Sequence, residues 1–251
     1  MMTAHNIWAP LRAELDRWQA AGKTARFWLR DDDAIEPTPA LEKLLKLTKD
    51  ANVPLTLAVI PASTGEPLAA RLADARHVLV ALHGWSHTNH AGPDEKKQEL
   101  GAHRAPEIVL SELRDGFAIL QRLFGPQFLS MVVPPWNRIN GVLIAELPAL
   151  GLDTLSVYGP AVAGSPIRLL NTHVDIMNWH GIRGGRPHEE LVANVVTELR
   201  ARFDDDAEPI GILTHHLVHD ETAWAFLFNL LAETSAHPAV AWKSAASLVE
   251  A

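Results

Sequence analysis

The sequence predicts an α/β protein of one domain spanning residues 1–251, a closed and irregular (β/α) barrel. Short, near-continuously apolar runs alternate with amphipathic stretches along the whole chain, the pattern of parallel strands covered by helices on their outer face. Seven or eight such units fit in 251 residues, the size of a barrel domain. No linker, repeat or low-complexity segment divides the chain. A doubly wound open sheet is the alternative, because a sequence does not display closure.

The strand runs are ARFWL (25–29), PLTLAVI (54–60), HVLVAL (77–82), FLSMVV (128–133), LDTLSV (152–157), IRLLNTHV (167–174) and PIGILT (209–214), with AVAW (239–242) as a last candidate. After Pro39, Leu41, Leu44, Leu45 and Leu47 mark a helix by their spacing. Val109, Leu113, Phe117, Leu120 and Phe124 mark a second, which stops at Gly125, the residue type expected just past a helix end. Segments 189–203 and 221–233 read the same way. The longest polar insertion is TNHAGPDEKKQELGAHRA (88–105), and a loop of that length is commonly functional.

Composition removes whole classes of function. The chain is 47% hydrophobic and 21% charged, ordinary for a globular protein with one large core. With 22 basic against 30 acidic residues, a net charge of −8 and no Lys/Arg cluster, a nucleic-acid partner is not expected. There is no cysteine, so disulfides, thiolate metal sites and thiol nucleophiles are excluded, and any metal must be held by His and carboxylates. No segment approaches the ~18 uninterrupted apolar residues of a membrane span. The first residues, MMTAHNIWAPLRAELDRW, lack a basic start followed by an apolar core, so the expectation is a cytoplasmic protein.

Polar clusters sit where the strand runs end. Arg30-Asp31-Asp32-Asp33 follows the first run, His83-Gly84-Trp85-Ser86-His87 the third, and Pro134-Pro135-Trp136-Asn137-Arg138 the fourth. Asp175 through His180 follows the sixth, and His215-His216 with His219 and Asp220 follows the seventh. In a β/α barrel that rim is where the βα loops build a site. Each cluster alone has a plain structural reading: a helix N-cap region for the aspartates, a polar turn for the histidines, a strand stop for the prolines. Five in order, at equivalent places in successive units, point to one convergent site.

A carboxylate with two imidazoles makes a three-ligand set that suits Zn²⁺ or a similar borderline metal and leaves positions open for water and substrate. Such a metal lowers the pKa of bound water and polarises a carbonyl. A second aspartate could take the water's proton and a histidine from another strand could supply one to a leaving amine. The constellation predicts metal-assisted hydrolysis of an amide or ester.

Asp-Asp, His-x-x-x-His, Pro-Pro-aromatic, a later Asp and Trp, and Leu-x-His, in that order over roughly residues 26 to 216, resemble the polysaccharide deacetylases of carbohydrate esterase family four (the NodB-homology type). The resemblance implies an irregular (β/α)7 barrel and removal of acetyl groups from N- or O-acetylated sugars with one divalent metal ion, zinc being the first expectation. It makes Asp32 the base and Asp33 the ligand, with Asp31 as base and Asp32 as ligand the alternative register. It makes His83 and His87 the imidazole ligands, with Gly84 where the family prefers Ser or Thr. The family's third motif carries an Arg that orients the base; Val132 or Val133 stands there, and Arg30 or Arg138 is expected to replace it. The resemblance places Trp136 at the aromatic position whose N–H helps hold the oxyanion. It matches Asp175 and Trp179 to the fourth motif. His215 becomes the general acid, with His216 a near competitor.

The expected substrate is an N-acetylated sugar or related small amide, such as a lipid- or nucleotide-linked sugar. The alternatives are a hydrolase of a non-sugar amide (a cyclic ureide or imide) and a carbohydrate-binding relative without catalysis, which the missing Arg keeps open. Oligomeric state is not legible.

Overall fold

The computed structural model describes residues 6–181, 183–205 and 208–250. Helix α1 (Ala9–Ala20) precedes an alternation of β1 (Ala25–Ala34), α2 (Pro39–Asp50), β2 (Leu55–Val59), α3 (Glu66–Leu72), β3 (Val78–Leu82), α4 (Pro106–Phe124), β4 (Phe128–Val132), α5 (Gly141–Ile144) and β5 (Thr154–Leu155). There follow β6 (Arg168–Leu169), β7 (Val174–Asp175), α6 (His188–Ala201), β8 (Ile210–Thr214), α7 (Glu221–Thr234), β9 (Val240–Trp242) and α8 (Ala245–Val249). The strands pair in parallel in the order β6-β5-β4-β3-β2-β1-β8-β7, and β9 lies along the first residues of β1.

The two ends of that order belong to one stretch of chain. Leu170 N bonds Leu155 O and Thr172 N bonds Val157 O, and then His173 N bonds Gly211 O as the chain crosses from β5 to β8. The sheet therefore curls back on itself around seven strand positions, and the barrel, not the open sheet, is the architecture. The predicted run 167–174 is split into two short strands because it changes partner midway. Gly211 permits that crossing: a Cβ there would lie 2.4 Å from Asn171 O and 2.6 Å from Thr172 Cα. Run 152–157 shrinks to two strand residues, since the Asn171 side chain takes over as the acceptor of Val157 N.

Strand parity sorts the side chains. Phe27, Leu29, Leu55, Leu57, Val78 and Val80 join the large core beneath the helices, while Trp28, Ala58, Ala81, Met131 and Val133 form a separate cluster inside the barrel. Side chains two apart on a strand share a face. Arg30 and Asp32 thus stand above Trp28 in the interior, and Asp31 faces the helix layer.

The helices follow their patterns with small shifts. Thr38 Oγ1 accepts from Leu41 N at 3.0 Å and caps α2, which buries Leu41, Leu44, Leu45 and Thr48 while Leu47 is only partly covered. The aspartates take no part in that cap. Helix α4 buries Val109, Leu113, Gly116, Leu120 and Phe124 and ends at Gly125, where φ is +52°; Phe117 sits at the edge against Phe128. The sequence reading did not mark α1, whose Leu11, Leu15 and Trp18 are fully covered. Among the described residues no helix is long and apolar enough to cross a membrane.

Candidate active site

Strand β1 does not stop at Leu29 as the apolar run suggested; it continues to Ala34 and carries all three aspartates within it. In a regular strand Asp32 and Asp33 would point to opposite faces. The pairing of β1 with β2 slips between Asp31 and Ala34, and Asp33 takes a left-handed backbone with φ +73°. This bulge re-aims Asp33 so that it lines the same cavity as Asp32.

Asp33 meets the histidines after β3. Asp33, His83 and His87 each offer one ligand atom, and those atoms all lie within 4.8 Å of one another. Asp33 Oδ1 is 3.0 Å from His83 Nε2 and 3.3 Å from His87 Nε2. His83 Nδ1 lies 2.8 Å from Val133 O. A carbonyl only accepts, so Nδ1 carries the hydrogen and Nε2 is the atom left for a ligand, the usual outer support of a metal-binding imidazole. Burial alone would raise the Asp33 pKa, but His83, His215 and His87 pull it well below the usual carboxylate range. Burial opposes charge on His83, yet the hydrogen bond with Asp33 and the charges of Asp32 and Asp33 lift its pKa; burial and the neighbouring His83 lower that of His87. The donor set, one anion and two imidazoles with a fixed tautomer, fits a divalent cation, which would displace the proton held there.

The loop bearing His87 rests on a buried carboxylate that sequence reasoning passed over. Glu99, 1% exposed, accepts from Trp85 N at 3.0 Å through Oε2, and from Ser86 N at 2.7 Å and Ser86 Oγ at 3.0 Å through Oε1. It lies in the 88–105 insertion, whose length was the only signal. Gly84, with φ +57°, has no room for a side chain: a Cβ would meet Glu99 Oε2 at 2.1 Å and the Pro135 ring at 2.7 Å. The glycine in place of Ser or Thr is thus the counterpart of Glu99.

The cation expected to orient Asp32 comes from β1 itself. Arg30, fully buried, donates through Nε to Asp32 Oδ1 at 2.9 Å and through Nη2 to Asp32 Oδ2 at 3.0 Å. Its Nη1 donates to Ser156 Oγ at 2.6 Å and its Nη2 also to Asn137 Oδ1 at 2.7 Å. Arg138 is held elsewhere, with Nη1 on Lys97 O at 3.0 Å, so of the two expected replacements only Arg30 grips Asp32. Trp136 and Asn137 follow the two prolines with left-handed φ of +55° and +56°, and the Trp136 ring packs 4.3 Å from that of His87.

On the opposite wall His215 Nε2 lies 3.9 Å from Asp32 Oδ2. Its ring is packed edge-on at 4.5 Å by Trp179, whose Nε1 donates to Asp175 Oδ2 at 2.8 Å. Burial pushes the Asp175 pKa up. The competitors of the alternative register are occupied with each other. Asp31 pairs with His216 Nδ1 and accepts from His216 N at 2.9 Å and Thr214 Oγ1 at 2.7 Å, fully buried outside the cavity. Despite its burial Asp31 is held acidic by His216, and His216 is lifted above its ordinary pKa by Asp31. Every residue expected at the site, Asp32, Asp33, His83, His87, Trp136, Arg138, Asp175, Trp179 and His215, lines one cavity of about 370 Å³. Asn137, Tyr158 and His180 complete it.

The same barrel occurs in solved proteins at low sequence identity. A protein of Mycobacterium smegmatis described as a polysaccharide deacetylase superposes with a TM-score of 0.65 at 18% identity, over 91% of this chain and 90% of the other. A family 4 acetyl xylan esterase of Clostridium thermocellum, solved with a cobalt ion, gives 0.56 at 16% over 90% of each chain. A peptidoglycan deacetylase of Bacillus subtilis gives 0.57 at 17% over 90% and 91%. This chain has the polysaccharide deacetylase fold. No family model and no curated protein matches it by sequence. Within the polysaccharide deacetylase fold the cavity occupies the C-terminal ends of the strands, where a β/α barrel carries its chemistry.

Proposed function

We propose that the chain is a metal-dependent hydrolase that removes the acetyl group from an N-acetylated sugar. The observation that carries this reading is the convergence, in one cavity, of the Asp33–His83–His87 cluster with Asp32 on one side and His215 on the other. A divalent ion held by those three residues, with zinc the first expectation from the donor set, supplies Lewis-acid polarisation of the acyl oxygen and an activated water.

The chain's own residues supply the rest. Asp32, fixed by the Arg30 fork, takes a proton from the attacking water as its oxygen bonds to the acyl carbon. The Trp136 N–H stands as a donor for the oxygen that gains charge. His215, seated against Trp179, passes a proton to the nitrogen as the C–N bond breaks, which yields acetate and a free amine. The binding-only reading loses its motive, because the cation missing from the third motif is present as Arg30.

The test is acetate release from N-acetylglucosamine and its short oligomers by protein loaded in turn with Zn²⁺ and Co²⁺. Acetate and amine should appear in equal amounts, stop on chelation and resume on reloading. No acetate with any sugar or metal overturns the proposal.

A further inference from the structure

We infer that the mouth of this cavity is an anion-binding subsite, so that the acetylated sugar it takes carries a phosphate or carboxylate group away from its acetamido end. The inference rests on the deacetylase reading above and deepens it. Three carboxylates line the cavity, and each is committed. Asp32 is gripped by Arg30, Asp33 is shared between His83 and His87, and Asp175 accepts from Trp179 Nε1 and from Met177 N at 2.9 Å.

What the cavity leaves uncommitted is a cation. Arg138 lines it, and among the described residues no carboxylate lies within ion-pair distance of its guanidinium; its bond is a single one, to Lys97 O. Other arginines of the molecule are paired, Arg104 with Glu112 and Arg202 with Glu198 and Glu208. Lys97 places its ammonium 6.0 Å from the centre of the ring of Trp136, a residue that lines the cavity. The glutamates of the insertion that brings Lys97 are turned to other tasks. Glu95 accepts from Gly92 N and pairs with His103, and Glu99 lies under the His87 loop.

Bulk composition does not explain this bias, since the chain carries 30 acidic against 22 basic residues. A guanidinium with most of its five donors unspent matches the oxygens of a phosphate or carboxylate as a fork. The cavity volume of about 370 Å³ is at the lower end of small-ligand sites, which suits a substrate of modest size.

The experiment compares kcat/KM for acetate release from N-acetylglucosamine, its 1- and 6-phosphates, and N-acetylmuramic acid, using metal-loaded wild type, R138Q and K97Q. The charged sugars should exceed the neutral one by ~10-fold or more, the scale of one charge-assisted contact. R138Q should bring the ratio near one, and K97Q, changed at an exposed position, should lower it in the same sense. Preference for the phosphates over the muramic acid, or the reverse, identifies which anion is taken. Equal kcat/KM for neutral and charged sugars, or an unchanged ratio in R138Q, overturns the inference and leaves the deacetylase reading standing. Calorimetric titration of chelator-treated protein with the 6-phosphate separates the two claims. Binding that R138Q removes, with no acetate from any sugar, supports the anion subsite and overturns the deacetylase reading.

Discussion

Arg30 and Asp32 lie two residues apart on β1 and meet as a two-pronged fork inside the barrel, at 2.9 and 3.0 Å. Strand parity makes the pair possible, and complete burial makes it strong. An R30K variant keeps the charge but cannot fill both prongs or reach Ser156 and Asn137 together. It should retain metal and lose ~10²-fold in kcat, a general-base loss. R30M, which strands a buried carboxylate, should also unfold ~3–5 kcal/mol more easily. Metal content, kcat and urea midpoints on the three proteins check this; unchanged kcat in R30K would free Asp32 from Arg30.

Glu99 holds the loop between the two histidines, and Gly84 leaves it the space. E99Q replaces one acceptor oxygen with a donor facing backbone N–H groups. Metal affinity should fall by ~10–100-fold, the usual scale for a group that supports a ligand from behind. G84S, which combines a left-handed backbone with a clash against Glu99 and Pro135, should lose both metal and stability. Competition against a metal-binding dye measures the affinities, and a wild-type affinity in E99Q would make the loop self-supporting.

Much of this site was legible in sequence order, because each polar cluster ends a separate apolar run and the barrel brings run ends together. Closure was not, since the run 167–174 shows no sign that it changes partner at His173. The aspartate register was hidden for a related reason. In ARFWLRDDDA three consecutive apolar residues, Phe27, Trp28 and Leu29, precede Arg30, so neither face is marked just before the aspartates, and the bulge at Asp33 breaks parity in any case. Glu99 was invisible because its partners are backbone N–H groups, which leave no motif.

Metal should stabilise the fold by mass action, since Asp33, His83 and His87 come together only in the folded chain. At about 100 times its dissociation constant a ligand contributes ~2.7 kcal/mol, or roughly 5–10 °C in Tm for a chain of this size. Thermal melts with zinc and with chelator should differ by that amount in wild type and coincide in H87A. A zinc shift that survives in H87A would place the metal elsewhere.

His219 sets an acid limit. Burial, reinforced by the neighbouring His215 and His216, lowers its pKa to about 4 against the pull of Asp31 and Asp220. Its Nε2 accepts from His215 N at 3.2 Å, which requires the neutral ring. Between pH ~6.5, the unfolded value, and about 4, the unfolded chain binds a proton that the folded chain refuses. The stability is full above that window and drains as pH falls through it. H219Q keeps an acceptor without the titration, so its urea midpoint should decline less between pH 7 and pH 5, by up to ~1.4 kcal/mol per unit. Parallel declines would assign the acid loss to other groups.

Asp31 and Asp32 are adjacent, equally buried and chemically alike, yet the structure gives them opposite surroundings. Asp32 opens onto the cavity beside His215, whereas Asp31 is closed in by His216 and Thr214 on the outer face of β1. D32N keeps a side chain of the same shape in the Arg30 fork, so the protein should fold, hold metal and lose catalysis by ~10² or more. D31N removes the charge that His216 answers and sets an amide against the His216 N–H, so it should cost ~3–5 kcal/mol of stability as a broken buried pair. Its remaining folded fraction should still turn over substrate, because Asp31 touches nothing in the cavity. Activity per folded molecule, taken from kcat and a denaturation curve on the same samples, separates the two losses. The reverse pattern, a stable and inactive D31N beside an active D32N, would move the base to Asp31 and the ligand to Asp32.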